Sequence, residues 1–136
     1  MPETILFVCS GNTCRSPMAA AIAAHIARQS GLALRAHSAG SAANPGQPIT
    51  PHAGRALDEL DIAHDHQSRA LTPDLIRASD RIFGMEQKHL LAVGQVPHAV
   101  LLDAPDEIAD PLGLGRDRYR ALACHLVALM PARLGI

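Results

Sequence analysis

Residues 5–17 of the chain read ILFVCSGNTCRSP, and the arrangement of the first strand, loop and helix can be predicted from them. It begins with a short, continuous apolar run, Ile5 to Val8, that has β-branched and aromatic members and is typical of a strand buried on both faces. A polar turn containing Gly11 follows, and Pro17 then opens an alanine-rich stretch that ends near Gln29. Proline in the first helical turn marks a helix start. The first thirty residues are therefore predicted to form a strand, a loop and a helix.

The rest of the chain alternates between apolar runs and amphipathic stretches. Further strands are predicted at 34–38, 81–85 and 98–102, and helices at 51–60, 73–78, 86–92 and 116–132. Strands that alternate with helices form a parallel sheet covered on both faces, with ligands beyond the carboxyl ends of the strands. The 9–16 loop and the 103–115 loop both leave that edge. With no internal repeat, residues 1–136 are expected to form one domain.

The composition excludes several classes of protein. The 136 residues are 48% hydrophobic and carry a formal net charge of −1, which gives no electrostatic reason to expect nucleic acid or a membrane surface as a partner. No apolar run approaches the roughly 18 residues of a membrane-spanning helix, and the N-terminus lacks the basic region of a signal peptide. An odd set of cysteines (Cys9, Cys14 and Cys124) favours a reducing cytoplasm, with Cys124 expected in the core.

The 9–16 loop has the features of an oxyanion site. Five residues separate Cys9 from Arg15, and a loop of that length can turn its backbone N–H groups toward one centre. The start of the following helix adds donors and a favourable dipole. Arg15 can then hold two oxygens with its planar guanidinium, and the same donors would stabilise a nucleophilic thiolate on Cys9. Gly11 and Asn12 supply unusual backbone angles.

Rival chemistries for this loop lack the required spacing. The nucleotide-binding pattern G-x-x-x-x-G-K-[ST] is absent, and Cys9 and Cys14 have no second Cys or His pair at zinc spacing. A cysteine nucleophile also needs an acid for the leaving group. Asp110 is the first candidate because Pro111 stiffens its backbone, while Asp103 and Asp106 in the same loop stay open as alternatives.

The run VCSGNTCRSP at 8–17, with Asp110-Pro111 before a final helix, resembles the low-molecular-weight protein-tyrosine phosphatases along the whole chain. The resemblance implies a flavodoxin-like or Rossmann-like three-layer α/β domain with a four-stranded parallel sheet in the order 2-1-3-4. It implies Cys9 as nucleophile, Arg15 as phosphate clamp, and Asp110 as general acid and then general base, with no metal and no cofactor.

The resemblance also implies supporting residues. The phosphate-binding loop after the nucleophile consists of Ser10, Gly11, Asn12, Thr13, Cys14, Arg15 and Ser16. The residues implied to brace that loop are Asn12, Ser16, Ser38 and His66. Under oxidation, Cys14 is implied to form a reversible disulfide with Cys9.

Two departures from the tyrosine-specific pattern bear on the substrate. Thr13 stands where tyrosine-specific members usually carry a bulky aliphatic residue, and Leu112 follows Asp110-Pro111 in place of aromatic residues. With Tyr119 a few residues on, this pattern resembles the protein-arginine phosphatase branch.

The predicted function is a cytoplasmic protein phosphatase acting on phosphotyrosine and/or phosphoarginine through a cysteinyl-phosphate intermediate. We lean to phosphoarginine, and a plain tyrosine phosphatase is the alternative.

Two further functions compete with this prediction. An arsenate reductase on the same fold would need resolving cysteines in the second half, and residues 70–100 contain none. A catalytically silent module that binds phosphorylated residues is disfavoured by the intact set of Cys9, Arg15 and Asp110. The expected partners are a phosphorylated protein and the product inorganic phosphate, without nucleic acid or membrane.

Overall fold

The computed structural model describes residues 2–136, which form four strands and five helices. In chain order they are β1 (Glu3–Cys9), α1 (Arg15–Gln29), β2 (Leu34–Gly40), α2 (Pro51–Glu59), α3 (Pro73–Ala78), β3 (Arg81–Gly84), α4 (Gln87–Val93), β4 (Ala99–Leu101) and α5 (Arg116–Leu134). The strands form one parallel sheet in the order β2-β1-β3-β4. The predicted α/β class and strand order are confirmed, and the single-domain organisation stays a prediction.

The apolar run in β1 is continuous because both of its faces are buried. Ile5 and Phe7 pack into a core built with α1, α2 and α5, whereas Leu6 and Val8 pack into a second core on the other face of the sheet, with residues of α3 and α4. All four side chains are fully buried. Successive side chains of a strand point to opposite faces, so a central strand between two helical layers needs apolar residues at every position.

The sheet places the end of β1 in a crevice. β1 lies between β2 and β3, so the chain crosses from one side of β1 to the other between these two strands. In open parallel sheets, ligands bind at such a reversal, beyond the carboxyl ends of the strands. Cys9 is the last residue of β1, and the 9–16 loop therefore starts at this crevice.

Element boundaries differ slightly from the predicted ones. α1 begins at Arg15, two residues before Pro17, so the final residues of the 9–16 loop already have helical geometry. The expectation for Cys124 was wrong: it is exposed on α5, while the neighbouring Ala123 is buried. One helical step of about 100° carries position 124 off the buried face. Among residues 2–136, no helix has the length and apolarity to cross a membrane.

Gly40, at the end of β2, allows the 9–16 loop to pack directly on the sheet. A Cβ atom there would lie 2.4 Å from the carbonyl oxygen of Ser10, 2.8 Å from the Cβ of Ala43 and 3.0 Å from the Cβ of Asn12. Since the nearest atom belongs to the backbone, no side-chain rotation can relieve the clash. A glycine is required at this position by close approach.

We expect Gly40→Ala to lower the free energy of unfolding by about 1–3 kcal/mol, the usual cost of overpacking a tight site. Gly115 is the matched control, because no atom lies within 4 Å of a Cβ built there. Gly115→Ala should cost less than about 1 kcal/mol, since it changes only an N-cap position. Urea unfolding curves measure both variants, and equal losses would show that the contact with Ser10 carries no special cost.

Candidate functional site

The 9–16 loop is held from outside by its carbonyl groups. Cys9 O accepts a hydrogen bond from Ser41 N at 2.9 Å, and Ser10 O accepts from Ala42 N at 3.0 Å. Thr13 O accepts from Thr50 N at 2.8 Å. In a planar trans peptide the N–H points opposite to the C=O of the preceding residue. Each outward anchor therefore turns the next N–H toward the inside of the loop.

The inward N–H groups are free to bind an anion. No backbone carbonyl within residues 2–136 accepts a hydrogen bond from the N–H groups of residues 11–14. Asn12 has a positive φ of 57°, a left-handed conformation that asparagine tolerates better than most residues. The predicted unusual backbone angle thus falls on Asn12. Convergent N–H groups next to the start of α1 form an anion-binding concavity.

Asn12 is the central brace of the loop and is fully buried. Its Nδ2 donates to Ser16 Oγ at 2.8 Å, and its Oδ1 accepts from Arg69 N at 2.9 Å. Its backbone carbonyl accepts from His66 Nε2 at 2.6 Å, so the ring proton of His66 resides on Nε2. These contacts tie both sides of the loop to the 64–69 segment and to α1.

Cys9 receives a directed hydrogen bond. Its Sγ lies 2.9 Å from Ser16 Oγ, and both residues are buried. Because Ser16 Oγ already accepts from Asn12, the Ser16 hydroxyl proton is available to the sulfur. A donor aimed at the sulfur stabilises a thiolate, which is the nucleophilic form of cysteine.

Arg15 is buried at 2% exposure and fixed at one end. Its Nη1 donates to Glu86 Oε2 at 2.5 Å and to the carbonyl oxygen of Ile108 at 2.8 Å, while Nη2 lies 3.7 Å from Asp110 Oδ2. Burial alone would raise the pKa of Glu86, but the Arg15 guanidinium outweighs it and holds that pKa below its usual range. A charged Glu86 thus orients Arg15.

Asp110 is the acidic residue of the 103–115 loop that reaches the 9–16 loop. Together with Leu112 and Ala42 it lines a cavity of about 220 Å³ whose floor is formed by residues 9–15. Its Oδ1 accepts a hydrogen bond from Leu112 N at 3.0 Å, which fixes the side chain within the turn. Asp103 Oδ2 instead lies at hydrogen-bond distance, 2.8 Å, from His125 Nε2. Neither Asp103 nor Asp106 lines the cavity.

Comparison of the sequence with models of known protein families identifies the family that has this arrangement. The model described as low molecular weight phosphotyrosine protein phosphatase matches residues 4–130. The chain belongs to this family. The resemblance carried by residues 8–17 and by Asp110-Pro111 is thereby confirmed.

Individual family members include phosphatases of two specificities. A protein-arginine-phosphatase of Bacillus subtilis (strain 168) is 47% identical over 85 residues, which is 62% of this chain and little more than half (57%) of that protein. The low molecular weight protein-tyrosine-phosphatase Wzb of Salmonella typhi is 32% identical over 90% of this chain and 85% of its own. A solved structure of the YwlE arginine phosphatase, a cysteine-to-serine mutant with a phosphorylated active site serine, superposes with a TM-score of 0.91 at 34% identity, covering 98% of this chain and 94% of that one.

The remaining residues expected from the family pattern occupy distinct places. Ser38 contributes its carbonyl oxygen, which accepts from Arg69 Nε at 3.1 Å. Cys14 is buried, and this burial is the main reason why the pKa of its thiol is raised to about 12. The nearby Asp110 and Cys9 also raise it. The disulfide of Cys14 with Cys9 stays a prediction. Residues 2–136 contain no group of three or more His, Cys, Asp or Glu side chains placed to hold a metal ion.

Sequence reasoning missed the contribution of the β3–α4 junction. β3 ends at Gly84, and Glu86 lies two residues beyond it. His89 lies three residues further along, in α4. A charged residue just beyond a buried parallel strand was the available signal, because that position lies at the ligand-binding edge of the sheet. Arg69 was also missed, and its contribution through the backbone N–H leaves no mark in the sequence.

His66 makes the free energy of unfolding depend on pH. Burial lowers the pKa of His66 below its ordinary 6.5 and outweighs the opposing hydrogen bond to Asn12, and Arg69 lowers it further. As the pH falls, the unfolded chain therefore takes up this proton first. The stability linked to His66 is complete above pH 6.5 and is lost as the pH falls through the folded-state pKa.

We predict that His66→Gln removes this acid-sensitive part of the free energy of unfolding, while the glutamine amide still offers an N–H donor to the carbonyl oxygen of Asn12. Wild type should lose more free energy of unfolding than His66→Gln between about pH 7.5 and about pH 5. Urea unfolding at the two pH values measures the difference. His98→Gln, at an exposed position, serves as the control and should follow wild type. Parallel losses in wild type and His66→Gln would contradict the assignment.

Proposed function

We propose that the chain is a protein phosphatase that hydrolyses phosphorylated protein side chains through a phosphoryl-cysteine on Cys9, with phosphoarginine as its preferred substrate. The observation that carries this proposal is a single cavity bordered by the sulfur of Cys9, the guanidinium of Arg15 and the carboxylate of Asp110. The inward N–H groups of residues 11–14 lie at the base of that cavity.

The first step transfers the phosphoryl group to sulfur. The Cys9 thiolate attacks phosphorus, and the bond from phosphorus to the side-chain nitrogen or oxygen breaks, its electron pair leaving with that atom. Asp110, as an acid, protonates the leaving atom. The loop N–H groups and Arg15 bind the equatorial oxygens where charge develops. The phosphorylated active-site serine of the YwlE mutant supports a covalent intermediate at the corresponding position.

The second step returns the enzyme to its starting state. The Asp110 carboxylate accepts a proton from water, and the resulting hydroxide-like oxygen attacks phosphorus and breaks the P–S bond. The electron pair returns to the Cys9 sulfur as a thiolate, stabilised by the Ser16 hydroxyl at 2.9 Å. Inorganic phosphate leaves. No oxidant or reductant is consumed, and no step requires a metal.

The cavity walls support phosphoarginine over phosphotyrosine. Among the described residues, no aromatic side chain lines the cavity, and the partly buried Thr13 and the exposed Leu112 form part of its wall. A phenyl ring would lack a flat partner there. A phosphorylated guanidinium has N–H groups that can donate hydrogen bonds to a carboxyl oxygen of Asp110 and to the Thr13 hydroxyl oxygen. The 47% identity to a protein-arginine-phosphatase, over 85 residues, supports the same preference.

We also propose that the chain acts in the cytoplasm on phosphorylated proteins. Its three cysteines are free, and two of them are buried in the site. Thiols that must stay reduced for catalysis suit a reducing compartment. An absence of nucleic acid or membrane partners stays a prediction from the net charge.

Replacement of the nucleophile should separate chemistry from binding. Cys9→Ser is expected to abolish turnover of an aryl phosphate while retaining affinity for inorganic phosphate, since the loop N–H groups and Arg15 remain. Turnover is measured by product release and affinity by isothermal titration calorimetry. Cys124→Ser, at an exposed position, is the control and should keep full activity. More than trace turnover in Cys9→Ser would rule out covalent catalysis by this sulfur.

Replacement of the acid should depend on the leaving group. Asp110→Ala is expected to lower kcat by about 10²–10⁴-fold on phosphate esters with poor leaving groups, and by much less on p-nitrophenyl phosphate, whose leaving group needs no protonation. Asp106→Ala is the matched control, because Asp106 lies in the same loop outside the cavity. A loss of the same size on both ester classes would argue against Asp110 as the acid.

Substrate preference should shift at residue 13. Thr13→Ile is expected to lower kcat/KM for a phosphoarginine peptide and raise it for the matched phosphotyrosine peptide, each by about tenfold, corresponding to ~1–3 kcal/mol per altered pocket contact. Thr13→Val keeps the volume of threonine but removes the hydroxyl, and so separates shape from hydrogen bonding. An unchanged ratio of the two kcat/KM values in Thr13→Ile would show that residue 13 does not select the substrate.

A further inference from the structure

His89 is a fully buried histidine outside the catalytic set, and both of its ring nitrogens are engaged. Its Nδ1 accepts a hydrogen bond from Glu86 N at 3.0 Å, and its Nε2 lies 2.9 Å from Ser10 Oγ. Since Nδ1 is the acceptor, the ring proton of the neutral imidazole resides on Nε2. His89 therefore donates to Ser10, and the direction of this hydrogen bond is fixed by the contact with Glu86.

The two contacts of His89 lead to two separate parts of the phosphate site. Ser10 follows the nucleophile, and its carbonyl is already anchored by Ala42 N at 3.0 Å. With its side chain held by His89, Ser10 is fixed on both sides, which sets the plane of the Ser10–Gly11 peptide and the inward direction of the Gly11 N–H. On the other side, Glu86 binds Arg15 at 2.5 Å.

We propose that His89 is a positioning residue for phosphate binding: its Nε2–H, the tautomer fixed by Glu86 N–H at Nδ1, holds Ser10 and with it the Ser10–Gly11 peptide of the phosphate site. The inference rests on the proposed function, because it concerns affinity for the phosphoryl group. His89 does not line the cavity formed by residues 9–15 and Asp110, and it acts through Ser10. A purely structural role, as the capping partner at the start of α4, would use Nδ1 alone.

The charges around His89 keep its ring neutral. Burial, followed by the positive charge of Arg15, lowers the pKa of His89 to about 4, against weaker opposing effects of Glu86 and Glu107. Lys88 lowers it as well. Protonation of Nδ1 would remove the acceptor for Glu86 N–H. The ring would then carry a proton on both nitrogens and would no longer be held in one tautomer by this contact. The linkage between Ser10 and Glu86 therefore holds throughout the neutral range and weakens only near pH 4.

Two substitutions divide the contacts of His89. The amide oxygen of asparagine can take the place of Nδ1 as acceptor for Glu86 N–H but cannot reach Ser10. The amide nitrogen of glutamine can take the place of Nε2 as donor to Ser10. His89→Asn therefore preserves the helix cap alone, and His89→Gln preserves the contact with the loop. Ser10→Ala removes the same loop contact from the other side.

The test is the inhibition constant of inorganic phosphate against p-nitrophenyl phosphate hydrolysis at neutral pH. Ser10→Ala and His89→Asn should each raise it by about three- to tenfold, the range expected for one lost hydrogen bond, and the double variant should show no further rise. His89→Gln should stay within about twofold of wild type. His98→Asn, at an exposed position, controls for the loss of an imidazole, and circular dichroism melts verify folding.

Four outcomes would overturn the inference. A helix-capping role alone predicts that His89→Asn and Ser10→Ala bind phosphate like wild type while His89→Gln is impaired. Additive effects of Ser10→Ala and His89→Asn would show that the two residues act independently. If the wild-type chain neither hydrolyses the ester nor binds phosphate, the proposed function fails and this inference with it. Equal inhibition constants in active variants would overturn the positioning role alone.

Discussion

The planarity of the peptide bond is the constraint on which the site depends. A trans peptide points its N–H and C=O in opposite directions, so an anion-binding loop can turn its donors inward only if its carbonyls find partners outside. The backbone N–H groups of Ser41, Ala42 and Thr50 and the imidazole of His66 supply those partners. The loop is thus preorganised before any anion arrives, and binding does not have to order it.

This constraint explains why residues far apart in the chain converge on the 9–16 loop near the N-terminus. The 41–50 segment packs against the loop because Gly40 lets β2 end directly beneath Ser10. The 64–69 segment reaches Asn12 from the other side through His66 and Arg69 N. The β3–α4 junction completes the enclosure by fixing Arg15 through Glu86. Cys9, Arg15, Asp110 and the residues that hold the loop therefore lie at one edge of the sheet, although they come from every third of the chain.

The charges of the site are balanced in a way that suits a dianionic ligand. Arg15 is buried but paired with Glu86 on one nitrogen, which leaves Nη2 directed toward the cavity and 3.7 Å from Asp110. Loop N–H groups add partial positive charge without adding a titratable group. Cys14, with its raised pKa, stays a neutral thiol beside Cys9 and adds no repulsive charge. The local field thus favours a phosphoryl group at the 9–16 loop.

The family pattern in the sequence was enough to predict the sheet order. The main helices and strands could also be predicted, because a run such as Ile5–Val8 has few alternatives once both faces must be apolar. The sequence also singled out Cys9, Arg15 and Asp110, since reactive groups at fixed spacing are visible in one dimension, and their roles stay predictions. Only the tertiary structure selected Asp110 over Asp103 and Asp106 as the carboxylate at the cavity, placed Cys124 on the surface, and brought Glu86 and His89 to the loop. Those outcomes depend on helix rotation, loop path and backbone hydrogen bonds between distant segments. None of these has a local sequence signal, because a backbone N–H or C=O is the same for almost every residue type.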